Sequence, residues 1–253
     1  LGCGTLPLYD MVDVKRIILY GFFFILFSTI SYAREPLRFA QIIDTPDQVV
    51  GAKILIAAYK RLDIPVEIIG MPGKRALAES SRGRVDGEVH RIYRIEKDYP
   101  TLIRVPTAIN YIEPSTFSKN EKFNVTGCEA LRGYKIGIVR GVRHAETCTE
   151  GMKRVQVVGN SSKLMQILDK DRVDIVITAK LNGLIQLKRL NLNSIYPLSP
   201  PLCKKLVYHY LHEKHKNLVP QIDTIFKEME KSGELERLRD KYIKELLEQT
   251  IFP

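Results

Sequence analysis

Three histidines stand at three-residue intervals, His209, His212 and His215. Regularly spaced imidazoles suggest metal ligation. The surrounding stretch KKLVYHYLHEK (Lys204–Lys214) reads as extended, however, and residues three apart on a strand point to opposite faces. No metal site is expected there. The stretch GMPGKRA (Gly70–Ala76) resembles a phosphate loop but lacks the four-residue gap and the hydroxyl after lysine. Pro72 more simply opens a helix, with Arg75 turned back toward a cleft. No Ser-His-Asp order and no nucleophile elbow occur. The cysteines are Cys3, Cys128, Cys148 and Cys203, without any Cys-x-x-Cys pair. A zinc ribbon and a thioredoxin-type motif are thereby excluded.

The triplet Arg-Val-Asp is written twice, at Arg84–Asp86 and at Arg172–Asp174. Each closes a helix-like run, KRALAESSRG or SSKLMQILDKD, and each precedes an apolar strand-like run. In such a turn valine starts the buried strand and aspartate accepts amide hydrogen bonds. Asp86 and Asp174 are therefore read as structural rather than catalytic.

Stepping outward from these residues, LRFAQIID, IPVEIIG and VDGEVHRI read as strands separated by the helices QVVGAKILIAAYKRL and GKRALAESSRG. Gly83 ends the second helix. This is βαβαβ, the pattern of a mainly parallel sheet with helices on its faces. LIRVPTAINYIEPSTFSK (Leu102–Lys119) reads as one long extended segment. The pattern then restarts with YKIGIVRG, AETCTEGMK, RVQVVG, SSKLMQILDKD, VDIVIT, KLNGLIQLKRL and SIYPLS. Ser161 or Ser162 is the expected N-cap of the helix SSKLMQILDKD. An extended return segment and two amphipathic helices close the chain.

The 253 residues are 45% hydrophobic and 27% charged, enough for a buried core in one domain or two small ones. The net charge is +10 and the pI about 9.4, which suits an anionic partner or simple solubility. From Met11 the chain reads MVDVKRIILYGFFFILFSTISYAREP. Lys15 and Arg16 precede an apolar run from Ile17 to Ile30, and small residues flank a cut after Ala33. This reads as a cleaved secretory signal peptide, with LGCGTLPLYD as an upstream extension and Arg34 as the mature start. Export permits a disulfide, and Cys128 and Cys148 flank the first strand of the second unit. They are the expected pair, with Cys203 as the spare.

An exported chain with two βαβ lobes, a crossover, a return strand and two closing helices resembles the extracellular (periplasmic) solute-binding proteins of family 3. The residues that carry the likeness are PGKRALAESSRGRVDGE (Pro72–Glu88), LRGYKIGIVRGVRHAET (Leu131–Thr147), LMQILDKDRVDIVI (Leu164–Ile177) and FKEMEKSGELERLRDKY (Phe226–Tyr242). The resemblance implies the type II periplasmic-binding fold: two similar βαβ lobes with mainly parallel sheets, joined by a hinge of crossover strands. The expected organisation is residues 1–33 extension and signal peptide, 34–110 lobe 1, 111–200 lobe 2, and 201–253 return strand and helices packing on lobe 1.

It also implies a small ligand between the lobes. Matched by position, the cleft segments are His90–Arg94 in lobe 1 and Arg140–His144 in lobe 2. Asp44, Arg75 and Glu88 join them as expected ligand-binding residues, with His90, Arg91, Arg94, Arg140, Gly141, Arg143 and His144. Gly141 and the helix beyond it are expected to offer amides to an anion. Amino-acid-binding members place an arginine where this chain has Asp98, and an aspartate where it has Ala179. Cations outnumber the one carboxylate at the matched positions, which implies a small anionic solute, clamped by Arg91 and by Arg140 or Arg143. The implied role is capture of that solute in the periplasm for a permease of the ABC-transporter kind or a sensor. A monomer is expected, with no cofactor, metal or nucleic acid. The alternatives are a dehydratase acting on a cyclic carboxylic acid, with Glu88 or His144 as general acid, and a basic envelope protein without a small ligand.

Overall fold

Two βαβαβ units organise the chain, and each builds its own sheet. The computed structural model describes residues 35–249. The signal peptide expected at 11–33 lies outside them. In the first unit β1 (Leu37–Ile42), α1 (Pro46–Lys60), β2 (Val66–Met71), α2 (Gly73–Ser81) and β3 (Gly87–Ile92) follow in order. β1 lies between β2 and β3 and is parallel to both. β4 (Leu102–Ile112) stays in this sheet, whereas β5 (Pro114–Ser118) pairs in the other. The segment expected as one extended run thus serves two sheets, divided at Glu113. A proline cannot donate into a continuous ladder, and Pro114 opens the new strand.

The second unit comprises β6 (Ile136–Val139), α3 (Arg143–Cys148), β7 (Val155–Val158), α4 (Ser161–Asp169), β8 (Ile175–Ala179), α5 (Lys180–Arg189) and β9 (Tyr196–Pro197). β10 (Lys205–His212) then returns to the first sheet, and α6 (Val219–Lys231) and α7 (Glu234–Gln249) close the chain. The sheet orders are β2-β1-β3-β10-β4 and β7-β6-β8-β5-β9. In each, three parallel strands come from the βαβαβ unit, and the crossing strands add antiparallel. Among the described residues no helix is long and apolar enough to cross a membrane.

Each Arg-Val-Asp turn ties its strand to the first strand of its own lobe. Asp86 N donates to Arg38 O at 2.7 Å, and Asp86 Oδ2 accepts from Arg38 N at 2.7 Å. Asp174 treats Lys135 in the same way, at 2.8 and 2.7 Å. The duplicated triplet is therefore a duplicated strand clamp.

The first core joins Phe39, Ile54, Leu55, Tyr59, Val105, Ile109 and Phe226, packed under α1, α6 and α7. Leu181 and Ile185 of α5 belong to the same cluster, although α5 follows a strand of the second sheet. The other side of α5 lies on Phe117, where a Cβ on Gly183 would come 2.2 Å from the ring. Glycine permits that approach, so α5 sits wedged between the two sheets. His209 is fully buried in the first core: its Nδ1 donates to Glu88 O at 2.7 Å and its Nε2 accepts from Tyr59 Oη at 3.0 Å. His215 instead meets Asp86 at 2.6 Å, so the evenly spaced histidines do not converge.

The second sheet is covered on both faces. Leu164, Ile167 and Leu168 of α4 pack with Phe117 and Val176 on one face. Leu131, Ile138, Ala145 and Ile177 pack on the other. The disulfide Cys128–Cys148 staples that second face, with Cα atoms 5.3 Å apart, and Cys203 is free.

Candidate functional site

A cleft of about 950 Å3 opens at the C-terminal ends of the parallel strands of both sheets. That is where open α/β sheets hold ligands, because strand-to-helix turns converge there. Lobe 1 contributes the β1–α1 turn, with Ile42 and Asp44 to Asp47, and Val49. Lobe 2 contributes Val139, Gly141, Val142 and His144, then Gly159 to Ser162, then Thr178, Ala179 and Asn182. Ile112 lies at the crossover, while Arg189 and Leu246 border the cleft from α5 and α7.

Asp47 is the most buried acid of this lining, only 4% exposed. It stands in the first turn of α1, where a carboxylate favours the helix dipole. A network fixes its backbone. Asp47 O accepts from His90 Nε2 at 3.0 Å and from Asn110 Nδ2 at 3.1 Å. Gln48 Nε2 donates to His90 O at 2.8 Å. Asn110 Oδ1 accepts from Arg239 Nε at 3.1 Å, and the Arg239 guanidinium lies 3.6 Å over the Tyr111 ring. Among the described residues no lysine or arginine forms an ion pair with the Asp47 carboxylate. Burial lifts that carboxyl to about 6, against a lowering by the Arg239 charge and by a hydrogen bond from its own backbone amide. Asp44, at the mouth, is exposed and has a left-handed backbone, φ 54°.

On the facing lobe, His144 Nε2 is buried without a hydrogen-bond partner. Desolvation, helped by Lys205, depresses this imidazole to about 4, so it is neutral. Gly141 has φ 80°, which suits glycine, and its amide donates to Glu146 Oε1 at 2.7 Å. The amide expected to receive an anion is therefore already occupied by a carboxylate. α4 is capped by Asn160, whose side chain accepts from Lys163 N at 2.8 Å, rather than by Ser161 or Ser162. Both serines line the cleft instead, with the Ser161 hydroxyl accepting from Asn182 at 2.9 Å.

Of the residues expected from sequence, Asp44, Gly141 and His144 line this cleft. His90 lies behind it, buried, and acts through the backbone of Asp47. The arginine clamp is not assembled here. Arg91 Nε donates to Glu88 Oε2 at 2.8 Å and its Nη2 to Gly73 O at 3.0 Å. The Arg91 side chain is 11% exposed and that of Glu88 is fully buried, its Oε1 accepting from Ser80 at 2.8 Å. Arg94 stacks beside Tyr93, 5.2 Å from the ring, and Arg75, Arg140 and Arg143 are exposed outside the lining. Arginine side chains reach solvent or buried carboxylates whenever either is nearer than the cleft.

Asp47, Thr178 and Asn182 are cleft residues not expected from the sequence, and Ser161 and Ser162, expected only as a helix cap, join them in the lining. Asp47 had one usable signal: it falls in the first helical turn after a strand that ends at a cleft. Thr178 and Asn182 carried none, since a buried hydroxyl and a helical amide look the same on any face.

No protein-family model matches the chain. An uncharacterized protein of Shewanella oneidensis is 28% identical over 178 residues, which span 67% of this chain and 66% of that protein. Among solved structures, the probable amino-acid ABC transporter extracellular-binding protein ytmK of Bacillus subtilis is similar, with TM-score 0.69 and 15% identity over 83% of this chain and 99% of that one. The GluR0 ligand-binding core in complex with L-glutamate gives TM-score 0.68 at 10% identity, covering 83% and 99%. A histidine kinase sensor domain with similarity to periplasmic binding proteins gives TM-score 0.65 at 17% identity, covering 83% and 96%. The chain has the type II periplasmic-binding-protein fold.

Proposed function

We propose that this chain is a monomeric solute-binding protein of the periplasm, which captures a small polar solute for a membrane transporter or sensor. The observation that carries the reading is the cleft itself: both lobes supply its walls at their strand ends, and hydroxyl, amide and carboxyl groups converge in it. The structural likeness to a glutamate-bound core and to a transporter's binding protein supports an amino acid or a molecule of similar size. An anionic group of the solute is assigned to the N-terminus of α4, where Ser161 and Ser162 bring amides and hydroxyls, rather than to the arginines. The binding role is preferred over a dehydratase. Of the two general acids expected for such chemistry, Glu88 is held by Ser80 and Arg91 away from the lining, and His144, which lines the cleft, is kept neutral by burial and so is a weak proton donor.

The test is mass spectrometry of whatever small molecule leaves the purified mature protein on denaturation, followed by titration of that molecule into refolded protein. Release of a defined solute that rebinds unchanged supports the reading. A solute converted to product overturns it in favour of an enzyme. Absence of any released molecule, together with no thermal stabilisation by a broad metabolite panel, overturns it in favour of a protein without a small ligand.

A further inference from the structure

We infer that the place on lobe 1 where the end of β3 meets the start of β10 docks on an anionic lipid surface. Tyr93 and Leu206 enter the headgroup layer there, and the cations around them meet the headgroups. None of these residues lines the cleft, so the inference stands apart from the solute-binding reading.

The apolar part is unusual for its gathering. Six large hydrophobic side chains are exposed among the described residues, and Ile92, Tyr93 and Leu206 are three of them, at 44%, 49% and 48%. The register of β3 against β10 pairs Ile92 with Val207 and Arg91 with Tyr208, which sets these three at one place on the surface. Tyr208 extends the patch, its ring 5.9 Å from that of Tyr93. Single exposed apolar residues need no explanation, but a gathered group marks a contact surface. The turn that displays it is also disfavoured. Arg94 has a left-handed backbone, φ 74°, where a residue with a Cβ is strained. Such strain persists where the surrounding structure holds it, and it clusters at functional sites.

The charges indicate the partner. The Arg104 guanidinium lies 4.6 Å from the Tyr93 ring and 4.8 Å from that of Tyr208, and the Arg94 guanidinium lies 5.2 Å from Tyr93. Arg104 Nε is buried without a hydrogen-bond partner, with Glu96 at 3.6 Å. Lys97 follows on the same turn, and Lys205 precedes Leu206. Arg94, Lys97 and Lys205 are exposed, and none of them forms an ion pair among the described residues. The acids of these segments are Glu96 and Asp98, against the four cations. That balance suits an anionic partner. A lipid surface fits it better than a protein, because the cations sit on long stems without acids to fix them. Such stems reach mobile headgroups while tyrosine and leucine rest at the boundary, which is the composition of an interfacial anchor. The net charge of +10 adds to the same attraction.

The experiment uses the mature protein and vesicles of phosphatidylcholine, alone or mixed equally with phosphatidylglycerol. Co-sedimentation should show binding to the mixed vesicles at low salt, weaker binding at high salt, and none to phosphatidylcholine alone. Arg94→Glu with Lys97→Glu should weaken binding about tenfold or more. Lys153→Glu with Lys170→Glu, an equal charge change at exposed sites of lobe 2, should weaken it far less. Tyr93→Ser with Leu206→Ser should weaken it at unchanged net charge. The chain has no tryptophan, so Tyr93→Trp gives a single emitter at the patch, and its emission should move to the blue on mixed vesicles. That reporter decides the matter even where a charge variant folds poorly. Absence of binding by the parent overturns the inference and leaves the patch to a protein partner. Equal losses in the two charge-reversal variants reduce the effect to bulk attraction and overturn it as well. Binding without a shift of the tryptophan emission places the contact elsewhere, which also overturns it.

Discussion

Asp86 and Arg38 grip each other twice, through Asp86 N to Arg38 O and through Arg38 N to Asp86 Oδ2, both at 2.7 Å. Asp174 and Lys135 repeat the pair in the other lobe. The two clamps differ in one respect. Asp86 Oδ1 also takes Lys214 at 2.8 Å and His215 at 2.6 Å, whereas Asp174 has no ion pair among the described residues. Asp174→Ala should therefore cost about 1–2 kcal/mol and Asp86→Ala about 2–3 kcal/mol, at the scale of charge-assisted hydrogen bonds. Urea unfolding of both variants checks the order. Equal costs would mean that the contacts to Lys214 and His215 add nothing.

Arg91 is expected to matter for folding rather than for solute. Removing one member of a buried ion pair typically costs about 3–5 kcal/mol, because the other charge is stranded. Arg91→Ala should lower the melting temperature clearly, and Glu88→Gln in the same chain should restore much of the loss. Burial already raises Glu88 toward its neutral form, so the deficit of Arg91→Ala should shrink on mild acidification. Thermal melts of the single and double variants decide it. A stable Arg91→Ala protein that has lost its solute would return Arg91 to the binding site.

Acid should destabilise the fold in a defined window. Burial depresses His90, His209 and His144 to about 4, so the folded chain refuses protons that the unfolded chain accepts below about 6.5. Stability then falls as pH drops from about 6.5 to 4, by roughly 3 kcal/mol for each fully buried histidine. Asp47 and Glu88 act oppositely: both are raised, so the folded chain gains protons there in the same range. Three histidines outweigh two carboxyls, and the net slope is a loss toward acid. Melting temperatures between pH 7.5 and 4.5 measure it. A flat or rising profile on acidification would contradict the neutral histidines.

Breaking Cys128–Cys148 should cost about 3 kcal/mol, the chain-entropy value for a loop of this size. The paired cysteines lie 20 residues apart and close the α3 face of the second lobe. A Cys128→Ser, Cys148→Ser chain should unfold at lower urea with little change in slope. Thiol counting on the denatured, unreduced mature protein should find one free sulfhydryl, that of Cys203.

The repeated βαβαβ order was legible because it depends on local periodicity and on turn residues such as Gly83 and Pro72. The strand clamps of Asp86 and Asp174 were half legible: a structural turn role followed from the triplet, but the partners Arg38 and Lys135 are distant in sequence. β10 was readable as a strand, though not as one inserted between β3 and β4. Site residues were least legible. Arg91 stands at a cleft-edge strand, yet Glu88 three residues earlier on the same strand captures it first. Asp47 is ordinary in sequence and becomes distinctive only through its burial among groups far along the chain, Asn110 bonded to its backbone and Arg239 held by Asn110 and Tyr111. Charge counts along a segment miss such competition, since it is decided by which groups meet in space.

The wedge formed by α5 has a calorimetric consequence. Leu181 and Ile185 fill the core of one lobe while their helix follows a strand of the other. Separating the lobes draws these side chains into water, and hydration of apolar surface raises heat capacity. Closure around a solute reverses this change. Binding enthalpy should then vary with temperature more steeply than the solute's own apolar area explains, with part of that dependence carried by Leu181, a core residue outside the cleft lining.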